Sequence, residues 1–470
     1  MRLHWHRRDL RATDNRGLTA DEGPTVPVFV FDRDVLAHAG PPRVAFLLDA
    51  LASLRTWYRE RGSDLLVVEG DPAERLADLV DEHDADTVSW CRDYSGLARQ
   101  RDQRVEAALG DAVTVDRVHD ALLHEPGTIT TNGGETYSVF SYFGKKWLDR
   151  AKDDPVESPS SGDLAPVSGG DLPTLESLGF GEPEATVPAA GTDAARRRLD
   201  AFCADAIYRY ADQRDYPACG DRDEASGCTS RLSSHLKFGT IGIREVYAAT
   251  DEAWAAAETE TERDSVTEFQ RQLAWREFYA HVLSNQPGLV TENFKTYEHE
   301  IAWRDDTEGL RAWKNGETGY PIVDAGMRQL RDEAWMHNRV RMLVASFLTK
   351  DLLIDWREGY DWFREKLVDH DTANDVGGWQ WAASTGTDAQ PYFRVFNPMT
   401  QGERYDPDAE YVTQYVPELR DVPAHQIHRW HELDVAERRD LAPAYPDPIV
   451  DHAEARERAL AAFEAASDGS

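Results

Sequence analysis

The sequence predicts an α/β N-terminal domain built on a parallel sheet, followed by an all-helical C-terminal domain, and three observations carry that prediction. Short apolar runs alternate with helical stretches as far as Leu109; a Pro-, Gly-, Ser- and Asp-rich tract runs from Asp153 to about Thr192; beyond Ala194 apolar residues recur at helical spacing without strand alternation. In order, Leu3–Trp5 predicts a strand, Val26–Phe31 a second, Arg43–Arg61 a helix, Leu65–Val68 a strand, Pro72–His83 a helix, Thr87–Trp90 a strand and Leu97–Leu109 a helix. Such alternation implies crossover helices and a Rossmann-like parallel sheet, with a ligand crevice at the strand C-terminal ends beside Asp32 and Asp93. No glycine-rich phosphate loop follows a strand, which excludes a standard nucleotide site in the sheet. The predicted division is 1–130 for the α/β domain, 131–193 for the connector and 194–470 for the helical domain. Helices are expected over Ala194–Tyr210, Arg244–Ala257, Val266–Leu283, Asp324–Glu333, His337–Asp351 and Ala453–Ala466.

Composition narrows the class. A chain of 470 residues with 41% hydrophobic content suits a globular protein of two or three domains. It has no apolar run long enough to span a bilayer and no signal-like N-terminus, so a soluble, cytoplasmic protein is expected. The four cysteines are too few for a disulfide scaffold and default to free thiols; Cys219 and Cys228, which bracket an acidic loop, have a disulfide as their alternative. The net charge of −34 weighs against a nucleic-acid partner, because phosphate affinity comes from Lys and Arg. Yet the acid is scattered along helices and arginine far outnumbers lysine, a pattern of adaptation to high salt, so the local clustering of basic residues matters more than the sum.

The densest chemistry lies in Asp369–Asp388, where four carboxylates, a Gly377-Gly378 pair and the Trp379-Gln-Trp381 triplet crowd together. Glycines admit close approach and indoles stack, so this stretch fits a flat, electron-accepting ligand. Thr229-Ser230-Arg231-Leu232-Ser233 precedes a predicted helix and offers hydroxyls and free amides to a phosphate. Along Trp335–Met342, positions 338, 341 and 342 share a face, and Arg339 points about 100° away. His425, His428 and His431 recur at three-residue spacing without a completing ligand set and are read as a solvated helix face.

Together with Trp275-Arg-Glu-Phe-Tyr279, Thr318–Asp324, Lys350–Arg357 and Gly377–Trp381, these motifs stand in the order and spacing of the photolyase/cryptochrome family. The chain resembles its class I cyclobutane pyrimidine dimer (deoxyribodipyrimidine) photolyases of archaeal, halophilic type, from His4 to about Pro448. The resemblance implies a chromophore-bearing flavoprotein, a carbon–carbon lyase with FAD held in the helical domain and DNA containing pyrimidine dimers as partner. It implies FAD contacts from Tyr210, Thr229, Ser230, Arg231, Leu232, Ser233, Asn338, Arg341, Asp369, Asp371 and Asp375, with Arg341 and Asp369 as a buried pair. Trp303, Trp356 and Trp379 match the family's electron-conducting chain; Trp275 and Trp381 match the walls on which a flipped dimer stacks. Met342 matches a residue lining that pocket, and Arg231, Arg339 and Gln401 match contacts to DNA.

Two positions depart from the family pattern. Gln272 stands where a glutamate usually meets the dimer, and Asp375 stands opposite flavin N5 where photolyases usually carry asparagine. Protonated, the Asp375 carboxyl would supply a proton to reduced flavin; ionised, it would oppose the negative charge that repair needs. Asp32, Arg43, Asp93 and Lys237 match members using the antenna 8-hydroxy-5-deazariboflavin, and Leu97 and Ala98 replace the pair that goes with folate. The expectation is thus a monomeric, blue-light-dependent DNA repair enzyme; the alternative is a cryptochrome photoreceptor signalling through flavin redox state, favoured by Asp375 and Gln272 and opposed by Trp275, Trp381, Arg231 and Arg339.

Overall fold

The computed structural model describes residues 1–19, 23–219 and 228–467. Five parallel strands, β1 (Arg2–His6), β2 (Thr25–Phe31), β3 (Leu66–Glu69), β4 (Thr87–Cys91) and β5 (Thr114–Val118), form one sheet in the order β3-β2-β1-β4-β5. Arg2 pairs with Thr25 on one side and Thr87 on the other, so β1 is central, and every residue of β1 and β2 is buried. Burial on both faces explains why these strands read as continuous apolar runs. The edge strand β5 escaped the sequence reading because Thr-Val-Asp-Arg-Val is half exposed and carries two charges. The helix Pro72–His83 falls where its Asp71 cap and Pro72 predict, with Asp71 accepting from the Ala73 amide.

Within 131–193, read as connector, the segment Phe140–Asp149 is a helix whose buried Phe140, Phe143 and Trp147 join the large helical core. The rest of that tract is irregular and returns to the sheet through a bridge between Thr25 and Leu164. In the helical part, the longest element is Glu260–Asn285, 26 residues opened by a Thr259–Glu262 capping box. The expected Ala194–Tyr210 helix is instead Thr192–Ala204 followed by a 3-10 turn, Ala206–Arg209. The expected His337–Asp351 helix begins at Asn338, capped by His337, and loosens into a π-helical turn over Phe347–Asp351. Trp335 and Met336 therefore lie before the helix rather than on it.

The two parts are joined by buried ion pairs. Arg244 reaches Asp14 at 2.7 Å and Asp120 at 2.6 Å, and Arg11 also reaches Asp120 at 2.5 Å. Stripped of a partner, any of these charges would be strongly destabilising, so the network holds the sheet crevice against the helical core. Among the described residues no helix is long and apolar enough to cross a membrane.

Candidate flavin and DNA-lesion site

The helix Thr372–Ala383 organises the site. Asp371 caps it, accepting from the Asn374 amide at 3.1 Å, and so fixes where Asp375, Gly378, Trp379 and Trp381 point. Trp379 and Trp381 lie about 200° apart around the axis. Trp379 is buried, its indole N–H without a hydrogen-bond partner, against Phe363 at 5.0 Å and Trp313 at 6.0 Å. Trp381 is half-buried beside Phe396, on the side of the exposed Gly378. A Cβ added at Gly378 would meet no atom within 4 Å, which leaves room for a flat ring along this face.

Trp379 rests on Gly359, where a Cβ would come within 2.0 Å of its ring. Gly359 lies one turn from Trp356, which is fully buried and donates to Asn293 Oδ1 at 2.9 Å. The backbone of Arg304, next to Trp303, donates to Leu353 at 2.7 Å, and half-buried Trp303 packs on Phe463 at 5.9 Å. The segments carrying Trp379 and Trp356 thus meet at Gly359, and the segment after Trp303 meets Leu353. Trp313, which sequence reading passed over, lies against Trp379.

Facing that helix, Nη2 of Arg341 reaches both carboxylate oxygens of Asp369, at 2.7 and 3.0 Å, and its Nε donates to the Met336 carbonyl at 2.8 Å. Burial works against the Arg341 charge, but Asp369 and then Asp375 outweigh it and raise its pKa. Asn338 is exposed, with its amide 3.8 Å from the Met342 sulfur, so both lie on one face as spacing predicts. Asp375 sits 3.9 Å from Arg341 and 2.6 Å from Nδ1 of His370, a neighbour that sequence reading did not single out.

The predicted phosphate motif does open a helix, Ser233–Phe238. Arg231 takes a left-handed φ of 48°, a strained conformation of a kind that clusters at ligand clamps. Its guanidinium pairs with Glu333 at 3.0 Å and covers Trp335 at 4.1 Å, whose indole donates to Ser233 at 3.3 Å. Ser230 is buried with its hydroxyl accepting from the Leu232 amide at 3.4 Å, Thr229 is half-buried, and Tyr210 packs on Phe269 at 5.2 Å. Burial raises the Tyr210 phenol. Cys219 and Cys228 are joined as a disulfide, a correction to the free-thiol default.

On the outer side Trp275 stacks on Phe140 at 3.7 Å and 11° and lies 5.5 Å from Tyr279. Phe140 was hidden from the sequence reading by its place in the connector; the aromatic run Tyr137–Phe143 was the available signal. Gln272 donates to Glu268 at 3.0 Å, Arg339 pairs with Asp215 at 2.7 Å over the Tyr405 ring, and Gln401 keeps a buried carbonyl oxygen without a partner. His428 is buried rather than solvated, and the helix there is only Ala424–Ile427, because the chain turns under a cleft also lined by His425 and His431.

At the sheet crevice, Asp93 and Asp371 share Arg8, at 3.4 and 2.5 Å. Burial works against both carboxylates, but Arg8 above all holds each well below the usual range. Lys237, half-buried, is lowered to about 7 by burial and then by Arg8. Asp32 caps a turn and lies 3.6 Å from Arg101, and Arg43, whose guanidinium donates to the His38 carbonyl, is lowered to about 10 by burial. The four predicted antenna residues therefore border the crevice without one shared contact. Asp371 is committed to Arg8 and to the helix cap.

Residues 269–465 match the family model described as the FAD binding domain of DNA photolyase, and residues 2–160 match that described as DNA photolyase. A deoxyribodipyrimidine photo-lyase of Halobacterium salinarum is 62% identical, with 99% of each chain covered. The crystal structure of a class III photolyase from Agrobacterium tumefaciens superposes with a TM-score of 0.89 at 38% identity, covering 99% of this chain and 97% of that one. An archaeal photolyase from Sulfolobus tokodaii, solved with two FAD molecules, gives 0.82 at 30% identity over 99% of both chains. The parallel sheet, the helical core and the full-length likeness lead to one statement: the chain belongs to the DNA photolyase family.

Proposed function

We propose that this protein is a deoxyribodipyrimidine photo-lyase, which uses light to split cyclobutane pyrimidine dimers in DNA. The observation that carries the reading is the division of the Thr372–Ala383 helix between a buried indole, Trp379, and a half-buried one, Trp381, with open space at Gly378 between them. The residues fit FAD: the Arg341–Asp369 ion pair, the exposed Asn338 amide, the unpartnered Trp379 N–H and the strained Arg231 loop supply donors, acceptors and a phosphate clamp. When bound, FAD supplies light absorption and the electron that cleaves the dimer. The protein's part is to hold, orient and exclude water.

Trp275, braced by Phe140, and Trp381 form aromatic walls for a lesion whose pairing is already broken. Gln272 offers an amide to the dimer from beside Glu268, and Arg339 and Gln401 meet the DNA strand near Met342. Arg231, tied to Glu333 and Trp335, acts by shaping the phosphate loop. Trp379, Trp356 and Trp303 would carry single electrons between the surface and bound FAD. The crevice of Asp32, Arg43, Asp93 and Lys237 would hold the antenna 8-hydroxy-5-deazariboflavin, to which Lys237 and Arg43 would offer their cationic groups. The protein works as a monomer in the cytoplasm. Reduced protein mixed with dimer-containing oligonucleotide under blue light is expected to restore thymine, and none in darkness; no restoration at any salt concentration contradicts the reading.

A further inference from the structure

The stretch Asp369–Asp388 ends in a carboxylate that neither the flavin nor the lesion has claimed. The chain leaves the Thr372–Ala383 helix through Ser384, at a left-handed φ of 66°, and folds back so that the Thr385 and Gly386 amides both donate to the Gln380 carbonyl at 3.0 Å. Asp388 then takes a left-handed φ of 47°, a strained conformation for any residue but glycine. There its Oδ2 accepts from the Phe140 amide at 3.1 Å, across 248 positions of sequence, and the Thr387 hydroxyl donates to the Ser138 carbonyl at 2.8 Å. Phe140 opens the helix Phe140–Asp149, whose own N-cap residue, Val139, offers no side-chain acceptor. A helix start leaves its first amides without partners and favours an acidic group, so Asp388 is the cap that the local sequence lacks.

What this cap holds bears on the lesion. Buried Phe140 lies flat on the half-buried Trp275 indole, with centroids 3.7 Å apart and planes 11° apart, so one face of the indole is taken and only the other is left for a base. Trp381, the second wall, stands on the helix from which the Asp388 turn descends. The helices carrying the two walls also touch directly: the Tyr279 ring, 5.5 Å from Trp275, fills the space where a Cβ on Gly377 would come within 2.2 Å of it. The Asp388 bond is a second tie between them, through Phe140. We propose that Asp388 is a positioning residue for the lesion pocket, which fixes the plane of Trp275 relative to Trp381 by capping the Phe140–Asp149 helix. This rests on the lesion reading above and deepens it.

The test compares Asp388→Asn, which keeps an oxygen acceptor and tolerates a left-handed φ, with Asp388→Gly, which relieves the strain and removes the acceptor. Binding of a dimer-containing oligonucleotide to the full-length protein is measured at fixed salt, with Trp275 present and with Trp275→Ala. The proposal expects D388G to bind about 3- to 30-fold more weakly, since binding must regain the order that a lost cap gives up, and D388N to stay within about 2-fold of the unsubstituted protein. In the W275A background D388G should add less than about 2-fold, because the ring it positions is gone. No loss in D388G, an equal loss in D388N, or the same loss with and without Trp275 overturns the proposal, the last because a merely structural role is additive. Hydrogen exchange of the Phe140–Asp149 segment in the same preparations is expected to quicken in D388G and not in D388N. Unchanged exchange in D388G sinks the role of Asp388 alone, whereas unsubstituted protein that binds undamaged oligonucleotide as tightly as the dimer-containing one sinks the lesion reading and the proposal with it.

Discussion

In the crevice at the end of β1, Arg8 reaches across to Asp93 and to Asp371, whose positions lie far away in the chain, and the charges there satisfy one another. Along the Thr372–Ala383 helix the arrangement is the reverse: an indole N–H without a partner, a glycine facing open space and a half-exposed tryptophan stand waiting for contacts that protein does not supply. At Arg8 the first region is tied by long-range pairing, and there it serves to position. The second is held open by local helix geometry and serves to bind. Asp371 belongs to both, since it accepts from Arg8 and caps the helix, so the crevice sets the angle at which the open face is presented.

The comparison breaks most severely at the Arg341–Asp369 pair. Asp369→Ala leaves a half-buried guanidinium without its carboxylate partner and is expected to cost about 3–5 kcal/mol in denaturant unfolding, with loss of FAD on gel filtration. Next comes Gly359→Ala, whose new methyl would collide with Trp379 at 2.0 Å; overpacking of this kind costs about 1–3 kcal/mol, and slower photoreduction of bound FAD should accompany a lowered Tm. Trp275→Ala removes one aromatic wall and should weaken binding of a dimer-containing oligonucleotide by about 1–3 kcal/mol at fixed salt, leaving FAD content unchanged.

The smallest effect concerns the closed region. Lys237 titrates near 7 in the folded chain, below an ordinary lysine, so the unfolded chain binds more protons there. Stability from this group is therefore greatest above the ordinary lysine range and falls as pH drops toward 7. Arg8→Ala removes a like charge and frees Asp93 and Asp371, so the Lys237 midpoint should rise and the pH dependence flatten, as followed by NMR titration.

What was legible in the sequence follows the same division. The cap and spacing of Asp71–His83 are local, and that helix stands where those residues put it; the Thr372–Ala383 helix was not among the expected ones, because its paired glycines and crowded carboxylates read as a ligand-hugging loop. The pairing of Arg341 with Asp369 came with the family motif. Missed were β5, whose edge position leaves charged residues in the strand, and the Phe140–Asp149 helix, masked by the irregular tract around it. The same holds for Arg8, Phe140 and Trp313, which reach the site only through contacts distant in sequence. His370 was in plain view between two carboxylates, but nothing in its spacing tells that its ring turns to Asp375.

The central claim, that one helix serves the flavin with Trp379 and the lesion with Trp381, is tested most directly by measuring photoreduction and dimer repair side by side in Trp379→Phe and Trp381→Ala. The account predicts that W379F loses photoreduction yet repairs once its flavin is reduced chemically, and that W381A photoreduces normally but fails to repair. Loss of both activities in both variants, or repair by W381A at the unsubstituted rate, would contradict it.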